Sequence, residues 1–225
     1  MASGRKPAAS AAKGEKAAKA AAGEKGGRAA RAAPFYSFRI ELKYVRPKIW
    51  RYFFVPSNIS LFTFNKVIQA VMGWEGFHLH SFTIFGEEMR SWSKEIDNGG
   101  YIANDMQMYG NLRGIKLDRL GLSKGDWFSY LYDMGDSWTH LIKVLDTDYT
   151  PKTPGARYCC FGGARASPPE DCGGVMGYED ALEILSDPDS DEDEREELSM
   201  TFGDSFDPEE FDIVAINERL GRLAK

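Results

Sequence analysis

An abrupt change of composition at Pro34 divides this chain. Residues 1–33 consist almost wholly of Ala, Gly, Lys and Arg, with no aromatic and no branched aliphatic residue. Such a segment cannot bury enough apolar surface to offset the entropy of ordering it. Residues 1–34 are therefore expected to be a disordered basic tail, and residues 35–225 a single domain. Eight Lys/Arg and two Glu give residues 1–33 a net charge of +6, whereas 20 Lys/Arg and 32 Asp/Glu give the remainder −12. An acidic body argues against a general phosphate-backbone binder, which leaves only the tail 1–33 to touch nucleic acid. No run approaches ~18 apolar residues, so no membrane association is expected. Cys159, Cys160 and Cys172 are odd in number and two of them are adjacent. Arg5, Lys6, Lys13 and Lys16 interrupt any apolar leader. Reduced thiols and a cytoplasmic location follow as expectations.

Within the body, short aromatic-rich runs alternate with turn clusters. Phe35–Tyr44 and Ile49–Val55 read as a hairpin around Arg46-Pro47. Ser60 is placed to cap a helix over Leu61–Met72, with Phe62, Val67, Ile68 and Val71 near helical spacing and Gly73 as its stop. His80–Phe85, Asp126–Tyr132 and Thr139–Leu145 read as strands. Asp97-Asn98-Gly99-Gly100 is a turn cluster. Residues 150–177, dense in Pro and Gly, read as an irregular loop. Helices are expected at Tyr178–Leu185, in the acidic stretch from Asp189, and from Asp207-Pro208-Glu209-Glu210 to about Leu220. Strands first and helices last is an α+β pattern: a mostly antiparallel sheet with helices packed on it, concentrated toward the C-terminus.

Three polar runs carry possible chemistry. His78-Leu79-His80 on a strand would set two imidazoles on one face. Together with His140 and an acid they offer donors for a divalent metal; as a structural alternative, they hydrogen-bond within the core. Asp133-Met134-Gly135-Asp136-Ser137-Trp138 reads as a self-capped hairpin, with Gly135 free to take positive φ. Its carboxylates could equally hold a cation or move a proton. Trp138 and His140 share one strand face. Pro168-Pro169-Glu170-Asp171-Cys172-Gly173-Gly174 is stiffened by prolines and released by glycines. Adjacent Glu170 and Asp171 diverge unless the loop curls, and Arg157 or Arg165 are available to neutralise them. The candidate cluster is therefore His78, His80, Asp133, Asp136, Trp138, His140, Glu170 and Asp171, with His78, His80 and His140 as candidate metal ligands. Neither a Walker A loop nor a dinucleotide fingerprint is present.

Five segments in order carry a family resemblance: RPKIWRYFFVP (46–56), VIQAVMGWEGFHLHSFTI (67–84), YLYDMGDSWTHLIKV (130–144), FGGARASPPEDCGGVMGYEDALEIL (161–185) and FDPEEFDIVAINERL (206–220). Together they resemble the plasmid pRiA4b open-reading-frame-three-like family, some of whose members are labelled transposon resolvases. The resemblance implies an α+β fold and carries no established activity. A recombinase needs a Ser nucleophile among clustered arginines, or a Tyr with an Arg/His set, and this chain offers neither. The family pattern usually has Cys where Ser167 stands, so thiol chemistry at that position does not transfer. The sequence thus points first to a non-catalytic binding or adaptor module, linked to mobile elements, with a protein or peptide partner. The alternatives are a metal-dependent enzyme using the His/Asp/Glu cluster, and a weak DNA-associated protein acting through its tail.

Overall fold

A computed structural model describes residues 33–90 and 112–225. The tail expectation for residues 1–34, apart from Ala33 and Pro34, and the Asp97–Gly100 turn lie outside the described residues. The fold is α+β. Among the described residues seven antiparallel strands lie in the order β4-β3-β5-β6-β1-β2-β7. The strands are β1 (Phe35–Leu42), β2 (Trp50–Pro56), β3 (His80–Ile84), β4 (Glu87–Arg90), β5 (Trp127–Tyr132), β6 (Trp138–Tyr149) and β7 (Cys159–Ala164). Among the described residues there are four α-helices, α1 (Leu61–Met72), α2 (Gly174–Ser186), α3 (Glu192–Phe202) and α4 (Ile213–Leu223), of which the last three give the expected bias to the C-terminal half.

Strand alternation sorts the sheet into two faces. Phe38, Ile40, Phe53, Val55, Phe82, Phe128 and Ile142 point inward and are fully or almost fully buried. Phe64 of α1 stacks among Phe38, Phe53, Phe82 and Phe128 at ring separations of 5.1–6.3 Å. Burying each such side chain contributes about 1.5–3 kcal/mol. The bounds of α1 match their local signals. The Ser60 hydroxyl accepts from Thr63 N at 3.1 Å, and Gly73 takes φ 85° while its N–H returns to Gln69 O. Phe62, expected on the buried face, is half-buried and carries the Arg113 guanidinium 3.6 Å from its ring centroid.

Three elements differ from expectation. β7 lies inside the segment read as irregular, pairing Phe54 with Cys159 and Trp50 with Ala164. Its glycines permit close packing, since a Cβ on Gly163 would sit 2.4 Å from the Phe211 ring. Its free edge is closed by Asn217 of α4, whose amide donates to Cys160 O and accepts from Cys160 N, both at 2.9 Å. α2 starts at Gly174, four residues before Tyr178. The last helix starts at Ile213, with Asp212 accepting from Val214 N and Ala215 N at 2.9 Å. Asp207 caps only a turn, through Glu209 N. Phe211, anchored beneath Arg51 at 5.0 Å, holds the intervening chain out of the helix. Among the described residues no helix is long and apolar enough to cross a membrane.

Candidate functional site

Three loops meet where β5 ends and β3 begins. The first joins α1 to β3 and carries Trp74, Glu75, Phe77 and His78. The second is the β5–β6 hairpin at residues 133–137. The third leads from β7 into α2 and carries Pro168 to Gly173. Hydrogen bonds lock them together. Asp133 N donates to Leu79 O at 2.9 Å, and the Trp74 indole N–H donates to Pro168 O at 2.8 Å. Gly174 lies flush on the hairpin: a Cβ there would stand 2.6 Å from Asp136 O.

The meeting point gathers one imidazole and three carboxylates. His78 Nε2 lies 3.7 Å from Asp133 Oδ2, 3.6 Å from Glu170 Oε2 and 3.2 Å from Asp171 Oδ1. The Nε2 atom is buried and makes no hydrogen bond of acceptable geometry. No Lys or Arg pairs with any of the three acids among the described residues. Arg165 pairs instead with Glu209 at 2.7 Å, and Arg157 donates to Tyr158, so neither neutralises the loop.

Local conformation explains how the acids converge. Asp171 takes φ 57°, the curl that turns its carboxylate to the same side as that of Glu170. In the hairpin, positive φ falls on Asp133 (58°) and Ser137 (59°) rather than on Gly135. Asp133 Oδ1 accepts from Gly135 N at 2.8 Å, which leaves Oδ2 for the cluster. Non-glycine residues in this region are strained, and such strain concentrates at functional sites. Glu170 is fixed by the Tyr132 hydroxyl, which donates toward both its oxygens at 2.9 and 3.1 Å, and by Glu75 N at 3.0 Å. Burial and the adjacent Glu170 push the Tyr132 phenol well up, so it stays a donor.

The other candidates lie elsewhere. β3 starts at His80, so His78 precedes the strand and the two imidazoles occupy different surroundings. His80 faces the core against Phe82 and Tyr130, and burial lowers its pKa to about 4. His140 is completely buried beside Trp74 and Tyr130, with its pKa pushed down to about 3 by burial. Neither joins His78, whose metal-competent group among the described residues is Asp133 and Asp171. Trp138 is buried 6.2 Å from Trp74. Asp136 stands beside Cys172, and burial, then Asp136, raises that thiol to about 12. Cys159 and Cys160 sit buried on β7, and all three thiols are free. Tyr132 and Trp74 were not among the sequence candidates. Their only signal was an aromatic beside each polar run, and aromatics are common in a core.

Comparisons with known proteins fit this architecture. The chain is 30% identical over 186 residues to the uncharacterized protein y4hQ of Sinorhizobium fredii, covering 83% of this chain and 90% of that protein. The crystal structure of a protein of unknown function from Methanosarcina mazei Go1 superposes with a TM-score of 0.65 at 31% identity, covering 80% of this chain and 95% of that one. A model of the plasmid pRiA4b ORF-3-like proteins matches residues 34–215, and the chain belongs to that family.

Proposed function

We propose that the domain binds one divalent transition-metal ion through His78 Nε2, Asp133 Oδ2 and Asp171 Oδ1, with Glu170 beside them. The single observation that carries this is the spacing of the donors. Ligands about 2.1 Å from a tetrahedral ion stand about 3.4 Å apart. The separations of 3.2–3.7 Å around His78 Nε2 match that edge, and the donors of His78, Asp133 and Asp171 all lie within 4.8 Å of one another. One imidazole among hard carboxylates suits Zn²⁺ or Mn²⁺. A cation also offsets three acids that have no Lys or Arg partner among the described residues. Glu170, held by Tyr132, is placed to orient or deprotonate a metal-bound water. It also borders a cleft of about 490 Å³ lined by Trp74, Phe202, Phe206 and Arg219, which provides room for a ligand.

Chelated and dialysed protein titrated with Zn²⁺ or Mn²⁺ is expected to take up one equivalent by calorimetry. His78→Ala and Asp133→Asn are expected to abolish uptake while leaving the far-ultraviolet circular dichroism unchanged. Wild-type protein that takes up neither ion disproves the proposal. Tyr132→Phe tests the support for Glu170. The affinity is expected to fall roughly 10-fold or more, as for other outer-shell partners. Unchanged affinity would show that the Tyr132 hydroxyl plays no part in holding the ion, with Glu75 N sufficient to fix Glu170.

A second reading, a partner-docking surface, is favoured by the rim of the same site. Phe77 and Met176 stand 78% and 77% exposed on the loop and helix that flank it. Phe77→Ser is expected to abolish binding of peptides selected on the wild-type domain while leaving metal uptake intact. Retained peptide binding removes this reading.

A further inference from the structure

The helices cover one face of the sheet, and the other face has its own chemistry. Strand pairing places Trp127, Lys143, Arg39 and Tyr52 in one row across β5, β6, β1 and β2, because each faces the next in register. Three strand spacings make that row about 14 Å long. Trp127 is 63% exposed and Lys143 is exposed without an ion-pair partner among the described residues. The row continues into stacked rings. Trp50 lies 4.6 Å from Tyr52, and Phe161, 40% exposed, lies 5.8 Å from Tyr52. The Arg39 guanidinium covers the Trp50 ring at 5.4 Å. The local charge reverses that of the body. Glu41, the acid beside the row, is held by Arg39 and Lys48, which leaves Lys143 in excess. Asp146 and Asp148 lie farther along β6, past the irregular register at Ser37.

We infer that this face, which no described helix covers, binds single-stranded nucleic acid, with one base stacked on Trp127, another against the exposed Phe161, and phosphate on Lys143. Aromatic rings interleaved with cations on an open sheet are how sequence-tolerant single-strand sites work. Flat rings give each base a stacking surface, and the cations neutralise the backbone between bases. An acidic peptide would meet the charges but would leave the rings unfilled. The acidic remainder of the body confines a polyanion to this strip. The site is separate from the metal cluster, so either proposal can fail alone.

Tryptophan fluorescence is the readout, because the tail 1–33 holds no aromatic residue and so contributes no fluorophore of its own. The full chain is titrated with 12-mers of uridine, of thymidine, and with heparin as a base-free polyanion. Saturable quenching by one or both oligonucleotides, and none by heparin, is expected; the stronger of the two identifies RNA or DNA. Trp127→Ala is expected to lose most of the quenching and to weaken binding roughly tenfold. Lys143→Glu is expected to weaken binding and to lower the slope of log affinity against log salt by about one. Binding without quenching, unchanged by both substitutions, assigns it to the tail and overturns the inference. Equal quenching by heparin overturns stacking. No oligonucleotide binding, with a self-association that Trp127→Ala abolishes in sedimentation, makes the face a protein interface and overturns it too.

Discussion

Arg51→Met is expected to destabilise the domain by about 3–5 kcal/mol, and to loosen the candidate site with it. Arg51 is 3% exposed and has no carboxylate partner among the described residues. Its guanidinium is solvated by carbonyl groups instead. Nε donates to Val71 O at 3.1 Å, Nη1 to Trp50 O and Ala164 O at 2.8 Å, and Nη2 to Arg165 O at 2.7 Å and Ser167 Oγ at 3.3 Å. Val71 O is an orphan carbonyl of the last turn of α1, which has no basic residue of its own there. One side chain thus joins β2, β7, the end of α1 and the start of the loop that carries Glu170 and Asp171.

Two opposing effects decide the size of that change. Burial lowers the Arg51 pKa from 12.5 to about 10, a penalty on the charge of roughly 3 kcal/mol that the substitution removes. Against it stand four carbonyl groups that lose a charged donor, each costing about 1–3 kcal/mol when left unpaired. The second effect wins, and the net loss is a large share of the roughly 5–15 kcal/mol by which domains are stable. Arg51→Lys is expected to be nearly as harmful, because a point-like ammonium cannot reach acceptors spread around a planar fork. Urea denaturation followed by tryptophan fluorescence measures both variants. A loss under about 1 kcal/mol for Arg51→Met would show the carbonyls to be satisfied by water. Loss of metal uptake in the folded variant would locate the same bond network under the site.

The sequence was most legible where the determining interaction is local. Ser60 and Gly73 bracket α1 because a cap and a left-handed stop act on the next few residues. β7 was hidden because its partner β2 lies about a hundred residues earlier, and its Gly162-Gly163 pair, required by Tyr52 and Phe211, imitates a loop. α4 shows the same limit from the other side. Asp207-Pro208-Glu209-Glu210 is a sound local start, overridden by Phe211 under Arg51. In the site, residue type alone nominated three histidines and four acids. The strand start at His80 was legible, but the sorting also depended on facts with no local signature: His80 and His140 turn into the core, and Asp171 adopts a left-handed turn. Arg51, which organises the scaffold, sits in the strand IWRYFFV, where it reads as an ordinary surface alternation. Ser167 belongs to the same scaffold, its hydroxyl oxygen accepting from Arg51 Nη2 at 3.3 Å.

The same two histidines that stay outside the cluster are expected to set the acid limit of the fold. His80 and His140 are held neutral, with pKa values lowered to about 4 and about 3 by burial. In the unfolded chain both titrate near 6.5. The folded state therefore binds fewer protons between those values. Their stabilising contribution is complete above about pH 6.5 and is lost as the pH falls toward the folded pKa values. Two such groups give a slope of nearly ~2.7 kcal/mol per pH unit between about pH 6 and 4, and one group half of that. Carbonyl groups near His140, those of Tyr130 and Trp138, oppose the effect without cancelling it. The phenols that face these rings do not intervene, because burial raises Tyr130 and Tyr132 and both stay neutral throughout the window. Urea midpoints measured from pH 7.5 to 4.5 in a chelator, so that metal release does not contribute, are expected to fall steeply below pH 6. His140→Gln is expected to lose stability at pH 7.5 yet to show about half the wild-type slope, because it removes one proton from the unfolded side only. Equal slopes in the two proteins would mean that His140 takes up its proton in the folded state, with water reaching its Nε2 atom. Acid sensitivity would then originate in His80 and the surface carboxylates rather than in His140.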